Sequence, residues 1–218
     1  MNKSAAKAFA AAAKPEADRI RNAIRAPDSD CLTPYYVAQK SDAVAQSLLK
    51  LARKGETEAV ASFLFSNAIR FATLAEKGQI NTLLDTLETL GKSQQAKVLG
   101  ATESISYGAP NATVLQTLAG TPDEKVQERL AGLLRGLDSA QCTKLFSTPG
   151  AAWWMSSHER DDVMTEVISA LSPKQRQYIV NHAKDMTRVI ETTDREDFAA
   201  LFKDCKFQKG KAPVLGRP

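Results

Sequence analysis

At 218 residues, with 43% apolar and 25% charged side chains, the chain has room for one sizeable core or one short repeat array. It has no apolar run of the ~18 residues a membrane-spanning helix needs, and its three widely spaced cysteines, Cys31, Cys142 and Cys205, form no disulfide framework and fit a reducing compartment. The net charge of +4 sits largely at the end of the sequence, where Lys203, Lys206, Lys209, Lys211 and Arg217 face only Asp204, so the near-neutral body lacks the basic stripe that nucleic acid requires.

The opening stretch, MNKSAAKAFAAAAKPEADRI, is Ala-rich and interrupted by Lys7, Lys14 and Glu16, unlike an export signal. Pro15 is expected to open a helix carrying Ile20, Ala23 and Ile24, which Pro27 stops. After the polar loop Asp28-Ser29-Asp30, Thr33-Pro34 restarts a helix on which Tyr35, Tyr36 and Val37 pack. Residues 1–40 therefore read as an arm and capping helices for the rest of the chain.

From Ser41 a pattern recurs four times. Second-helix caps fall at Gly55, Gly91, Asp138 and Ser172, and three positions later come Glu58, Gln94, Gln141 and Gln175, the side chains that close a capping box. Eight positions after each cap sits Phe63, Leu99, Phe146 or Val180, and four before it Leu51, Leu87, Leu134 or Ile168. First helices are expected to start at Ser41, Gly78, Thr121 and Ser157. The spacing divides the chain into hairpins over 41–77, 78–120, 121–156 and 157–192, with a terminal helix to 204 and a basic extended tail over 205–218. A helical pair every ~34–47 residues is the period of stacked two-helix repeats, in which each pair buries its neighbour's apolar stripe.

Within the first hairpin, one long second helix is expected from Val60 to Ala75, with Asn67 buried and bonded to a loop backbone. The second hairpin carries an insertion over 104–120, with a short helix after Asn111; Tyr107 and Asn111 there are candidate partner contacts. Thr121-Pro122-Asp123-Glu124 is expected to start the third, with Thr121 as cap and Cys142 as a small buried thiol. Trp153 and Trp154 are adjacent and point ~100° apart on a helix, so one is a candidate interface anchor. The fourth hairpin is expected to bury Tyr178, Ile179, His182, Met186, Val189 and Ile190, and Thr193 to cap a last helix with Phe198, Leu201 and Phe202.

The densest ionisable cluster is His158, Glu159, Asp161 and Asp162, a weak catalytic candidate because acids in a helix's first turn satisfy the helix dipole regardless of function. No zinc spacing occurs, and Gly91-Lys92-Ser93 lacks the upstream glycine of a phosphate loop, so no cofactor or metal is expected. The chain thus resembles, at the level of architecture, an all-α, right-handed α-solenoid-like stack of HEAT/armadillo-like hairpins, the alternative being an irregular multi-helix bundle. The expected function is a non-enzymatic protein-protein interaction module, cytoplasmic or delivered into a host cytosol as a bacterial effector. The alternatives are an enzyme with an unfamiliar site around His158–Asp162 and a nucleic-acid-binding helical repeat. A protein partner is expected at Trp153, Trp154, Tyr107 and Asn111; Lys203, Lys206, Lys209 and Lys211 read as a solvated basic end, the alternative being contact with an acidic partner or membrane surface.

Overall fold

A computed structural model of the chain describes residues 3–26, 32–66, 68–102, 113–148, 162–183, 190 and 196–207, the side chains of 3–13 and 162–164 excepted. Regular structure among them is helical, and the single β pairing is an isolated antiparallel bridge between Thr102 and Thr113. Contacts group the chain into two compact units, Met1–Leu137 and Asp138–Pro218, the division falling inside the segment read as the third hairpin.

In the first unit α1 spans Lys3–Arg25 and runs through Pro15 rather than starting there. The flanking alanines have the highest helix propensity, which offsets part of the cost of the backbone bond that proline cannot donate. Ile20, Ala23 and Ile24 are its buried side, as the spacing predicts. Thr33 caps α2 (Pro34–Gln39), its hydroxyl accepting from the Tyr36 amide, but Tyr35 is 74% exposed and only Val37 is fully buried. Helix α3 (Ser41–Arg53) buries Val44, Leu48 and Leu51.

Gly55, expected as a cap for the next helix, instead ends α3. Its φ is +87°, its amide donates to the Ala52 carbonyl at 2.9 Å, and the Glu56 amide donates to Leu51 at 3.0 Å. Those two bonds make a Schellman motif, which needs a left-handed residue and so favours glycine. The next helix starts one residue later, and the buried position equivalent to Leu99, Phe146 and Val180 is Leu64.

The long second helix expected from Val60 to Ala75 is two helices, α4 (Thr57–Phe65) and α5 (Ala68–Leu74); Asn67, between them, lies outside the described residues. A π-helical turn over Ala75–Gln79 leads into α6 (Ile80–Thr89). Gly78 does not start that helix but sits inside the turn at φ +81°, a conformation open to glycine. Helix α7 (Lys92–Leu99) follows. The helix expected after Asn111 is α8 (Val114–Ala119), closed by a full capping box between Thr113 and Gln116. Helix α9 (Glu124–Arg135) is capped by Asp123 and not by Thr121, whose hydroxyl donates back to the Thr117 carbonyl.

The second unit contains α10 (Ser139–Phe146), α11 (Asp162–Ser169), α12 (Pro173–His182) and α13 (Glu196–Ala200). The capping boxes Asp138–Gln141 and Ser172–Gln175 form as expected. At Gly91 only half a box is possible: its amide donates to Gln94 Oε1 at 3.0 Å, and glycine has no side chain to return the bond. The start expected at Ser157 lies outside the described residues, as do Met186 and Val189. Helix α12 ends at His182, and Tyr178 and His182 are exposed rather than buried. Ile179 and Val180, between them in the sequence, are the buried pair.

Like packs on like in the first unit. Helix α3 lies against α1 and α6, and α6 against α9; α4 lies against α7; α5 lies against α2 and α8. In the second unit α10 packs on α12. Fully buried Leu48, Phe63, Phe71, Leu83 and Leu87 mark the first core, and Phe146, Ile168, Ile179, Phe198 and Phe202 the second. Each such side chain contributes about 1.5–3 kcal/mol of burial.

Helices this short leave many end groups unbonded, because four carbonyls at every C-terminus lack an intrahelical donor. One device meets that need three times: the fourth residue of the following helix reaches back. Gln95 Nε2 donates to the Leu87 and Leu90 carbonyls, each at 3.0 Å, at the end of α6. Gln127 Nε2 donates to Leu118, Ala119 and Thr121 at the end of α8. Arg176 Nη1 donates to Ser169 and Leu171 at the end of α11. Gln95 is 2% exposed and sits where Val60 and Cys142 fill the equivalent position of α4 and α10.

Gln95→Met keeps the side-chain volume and removes the donor shared by Leu87 and Leu90. It is expected to cost about 1–3 kcal/mol in denaturant unfolding, whereas Ser93→Ala, on the exposed side of the same helix, stays within about 0.5 kcal/mol. Equal stability of the two variants would contradict the role given to Gln95.

Candidate functional site

The side chains that shape the described surface are built from junctions outward. On α6, Asn81, Asp85 and Glu88 share one face at helical spacing. Arg129 of α9 lies across them: its Nε and Nη2 each reach a Glu88 carboxylate oxygen at 2.8 Å, and Nη2 also reaches Asp85 Oδ1 at 2.6 Å. Its Nη1 donates to the Asn81 carbonyl at 3.4 Å. Arg53, the last residue of α3, approaches the other Asp85 oxygen at 3.8 Å. Hydrogen bonding to Glu88, and then to Asp85, holds the Arg129 guanidinium above its ordinary range. A two-pronged fork of this kind fixes geometry as well as charge, so α3, α6 and α9 are tied together at one edge.

Comparable polar ties hold the other elements. Arg25 at the end of α1 donates through Nε and Nη2 to the Glu56 carboxylate at 2.6 and 2.7 Å. That bond holds the Glu56 carboxyl below its ordinary value. The stability it supplies is present at neutral pH and is lost as pH falls through that lowered value. Gln94 of α7 donates to Glu58 at 3.0 Å and to Thr57 at 3.3 Å, tying the starts of α7 and α4. Lys40 meets Glu16 at 3.0 Å, joining the start of α3 to α1.

Half-exposed aromatic rings stand out against this polar surface. Phe65 is 43% exposed, with Lys97 Nζ 4.6 Å from its ring centre. Tyr178, 48% exposed, is stacked on His182 with centroids 3.8 Å apart and planes 18° apart. The His182 Nδ1 donates to the Tyr178 carbonyl at 2.8 Å, which locks that stack. Inside the first unit, buried Arg70 of α5 stacks its guanidinium over Phe63 at 5.2 Å.

Cys142 is buried as expected, and burial pushes its thiol up to about 11. Cys205 is half-buried and raised for the same reason. Both are thiols rather than disulfide sulfurs. Neither has the depressed value of a nucleophilic thiol; at Cys205 burial outweighs the lowering effect of nearby Arg176.

Of the residues singled out from the sequence, Trp153, Trp154, Tyr107, Asn111, His158, Glu159 and Asp161 lie outside the described residues, and Asp162 opens α11. Lys203 and Lys206 are exposed, while Lys209 and Lys211 lie outside. The Lys206 backbone is engaged: its amide donates to Gln177 Oε1 at 2.7 Å and its carbonyl accepts from Gln177 Nε2 at 2.9 Å. Among the described residues no group of three His, Cys, Asp or Glu side chains is placed to hold a metal ion. No described helix is long and apolar enough to cross a membrane. The Arg129 fork and the Tyr178–His182 stack have no counterpart among the sequence expectations. Pairing Arg129 with a face of α6 requires the packing of α9 on α6, and only the i, i+4 spacing of Tyr178 and His182 is visible in the sequence. No family model, curated protein or solved structure matches the chain.

Two measurements test these assignments. Arg129→Met is expected to lower unfolding stability by about 1 kcal/mol at low ionic strength and by less in about 1 M salt; a loss that ignores salt would contradict the fork. A thiol reagent at about pH 8 is expected to label Cys205 well before Cys142, read by peptide mass mapping. Because the Cys142 thiol is raised, its contribution to stability is complete below the ordinary value of 9.0 and fades as pH rises toward about 11.

Proposed function

We propose that the chain is a non-enzymatic α-helical repeat module that docks a protein partner, its helices stacked in the manner of HEAT or armadillo arrays. The observation that carries this reading is the like-on-like packing of the first unit, in which α3 meets α6, α4 meets α7 and α5 meets α8. Ser41, Ile80 and Glu124 open successive first helices, an interval of roughly 40 residues, and three helices per repeat is an armadillo-like count. The recurrent closure of helix ends by Gln95, Gln127 and Arg176 supports a repeated unit rather than chance packing.

Such arrays bind along an ordered row of helices. The second helices α4 and α7, together with Trp153, Trp154, Tyr107 and Asn111, are the contacts this reading assigns. Two thiols, Cys142 and Cys205, support work in a reducing compartment, the cell's own cytosol or that of a host.

A photo-crosslinking residue placed at Ser93 or Lys97 of α7 is expected to trap one protein of fixed mass, and at Gln46 or Lys50 of α3 none. All four positions are exposed. Trp154→Ala is expected to weaken that capture about tenfold with helicity unchanged. Identical adducts from every position, or none from any, would contradict the reading.

A further inference from the structure

On the four helices that follow the recurring caps, the fifth residue is Ala61 of α4, Ala96 of α7, Thr143 of α10 and Gln177 of α12. Ala61 and Thr143 are buried, so a small side chain suffices for packing at this place. Gln177 instead reaches out to the segment that follows α13. Its Oε1 accepts from the Lys206 amide at 2.7 Å, and its Nε2 donates to the Lys206 carbonyl at 2.9 Å. The other Nε2 hydrogen goes to Asn181 Oδ1, also at 2.9 Å and one turn along the helix. That bond sets which way the carboxamide faces, because only its amino end donates. A second approach lies one residue earlier on both sides: Arg176 is near enough to Cys205 for its charge to favour the thiolate.

We propose that Gln177, oriented by Asn181, is a docking site for an extended peptide segment of the protein partner, and that residues 205–207 fill it as an internal strap. The proposal rests on the function given above and specifies how the partner is held. Paired strands exchange an N–H and a C=O between two facing residues, and Gln177 offers Lys206 the same pair from a side chain. Any residue but proline supplies those two groups, and the Lys206 side chain is exposed. The site therefore reads main chain, as strand addition does, with side-chain contacts left to add specificity. Both bonds are open to water, where exchange with solvent leaves each a small net gain. The strap holds its place through its tether: it follows shortly after the end of α13 at Ala200, which raises its local concentration above that of a free segment. A partner gains Gln177 by displacing Lys206.

Lys206→Pro removes the amide hydrogen that Gln177 accepts and frees the site while leaving α12 untouched. The probe is a fluorescein-labelled peptide with the sequence of residues 203–207, serine replacing its cysteine, read by fluorescence anisotropy on the full chain. The Lys206→Pro chain is expected to bind it about tenfold more tightly than the parent. Adding Gln177→Ala is expected to abolish that gain, with circular dichroism and melting unchanged. A peptide methylated on the backbone nitrogen of its second lysine is expected to bind neither chain. On the unsubstituted chain, an excess of unlabelled peptide is expected to speed thiol labelling of Cys205 about twofold, and the methylated peptide to leave it unchanged. The proposal is overturned by equal binding to parent and Lys206→Pro, by binding that survives Gln177→Ala or methylation, or by Cys205 labelling indifferent to the peptide. Failure of the peptide with the Ser93 and Lys97 adducts intact removes only this proposal; failure of both removes the proposed function as well.

Discussion

Short helices are expensive at their ends, and the handling of those ends governs this structure. Most described helices have ten residues or fewer, so unbonded end groups are a large share of the backbone polar groups that folding must satisfy. Local boxes take care of N-termini at Thr113, Asp138 and Ser172. The C-termini of α6, α8 and α11 are closed from outside, by Gln95, Gln127 and Arg176 of the helix that comes next. Each closure fixes the turn between two helices, and the turn in turn decides which apolar stripes meet.

That dependence explains what is legible in the sequence and what is not. The apolar positions flanking Gly91, Asp138 and Ser172 bury as their spacing predicts: Leu87, Leu99, Leu134, Phe146, Ile168 and Val180. Capping chemistry is local, and a box three residues long can be seen without a structure. Glycine is where local reading fails. Gly55 and Gly78 read as helix starts, yet both have positive φ and end or kink a helix, because a residue without Cβ serves either purpose and only the backbone tells which. Thr121 and Pro122 offer a plausible start, but the Gln127 side-chain amide takes the Thr121 carbonyl, and the cap passes to Asp123.

Polar pairs between distant segments are beyond reach for a different reason. Arg129 finds Glu88 and Asp85 across more than forty residues, and Arg25 finds Glu56 across 31. Nothing in one sequence selects these partners from its other charges. Tyr178 and His182 mislead in the opposite direction: their i, i+4 spacing fits an apolar stripe, but they form an exposed stack while Ile179 and Val180 take the buried positions. The ring pair stays in water and is held by a backbone hydrogen bond rather than by packing.

If closures at helix ends carry the order from one helix to the next, then helices joined by them open together. Native-state amide exchange in rising denaturant, followed through α3, α6, α7 and α9, reads this. The expected result is one shared opening isotherm for α6 and α7, merging with those of α3 and α9. Separate opening of α7 at low denaturant, with α6 still protected, would contradict it.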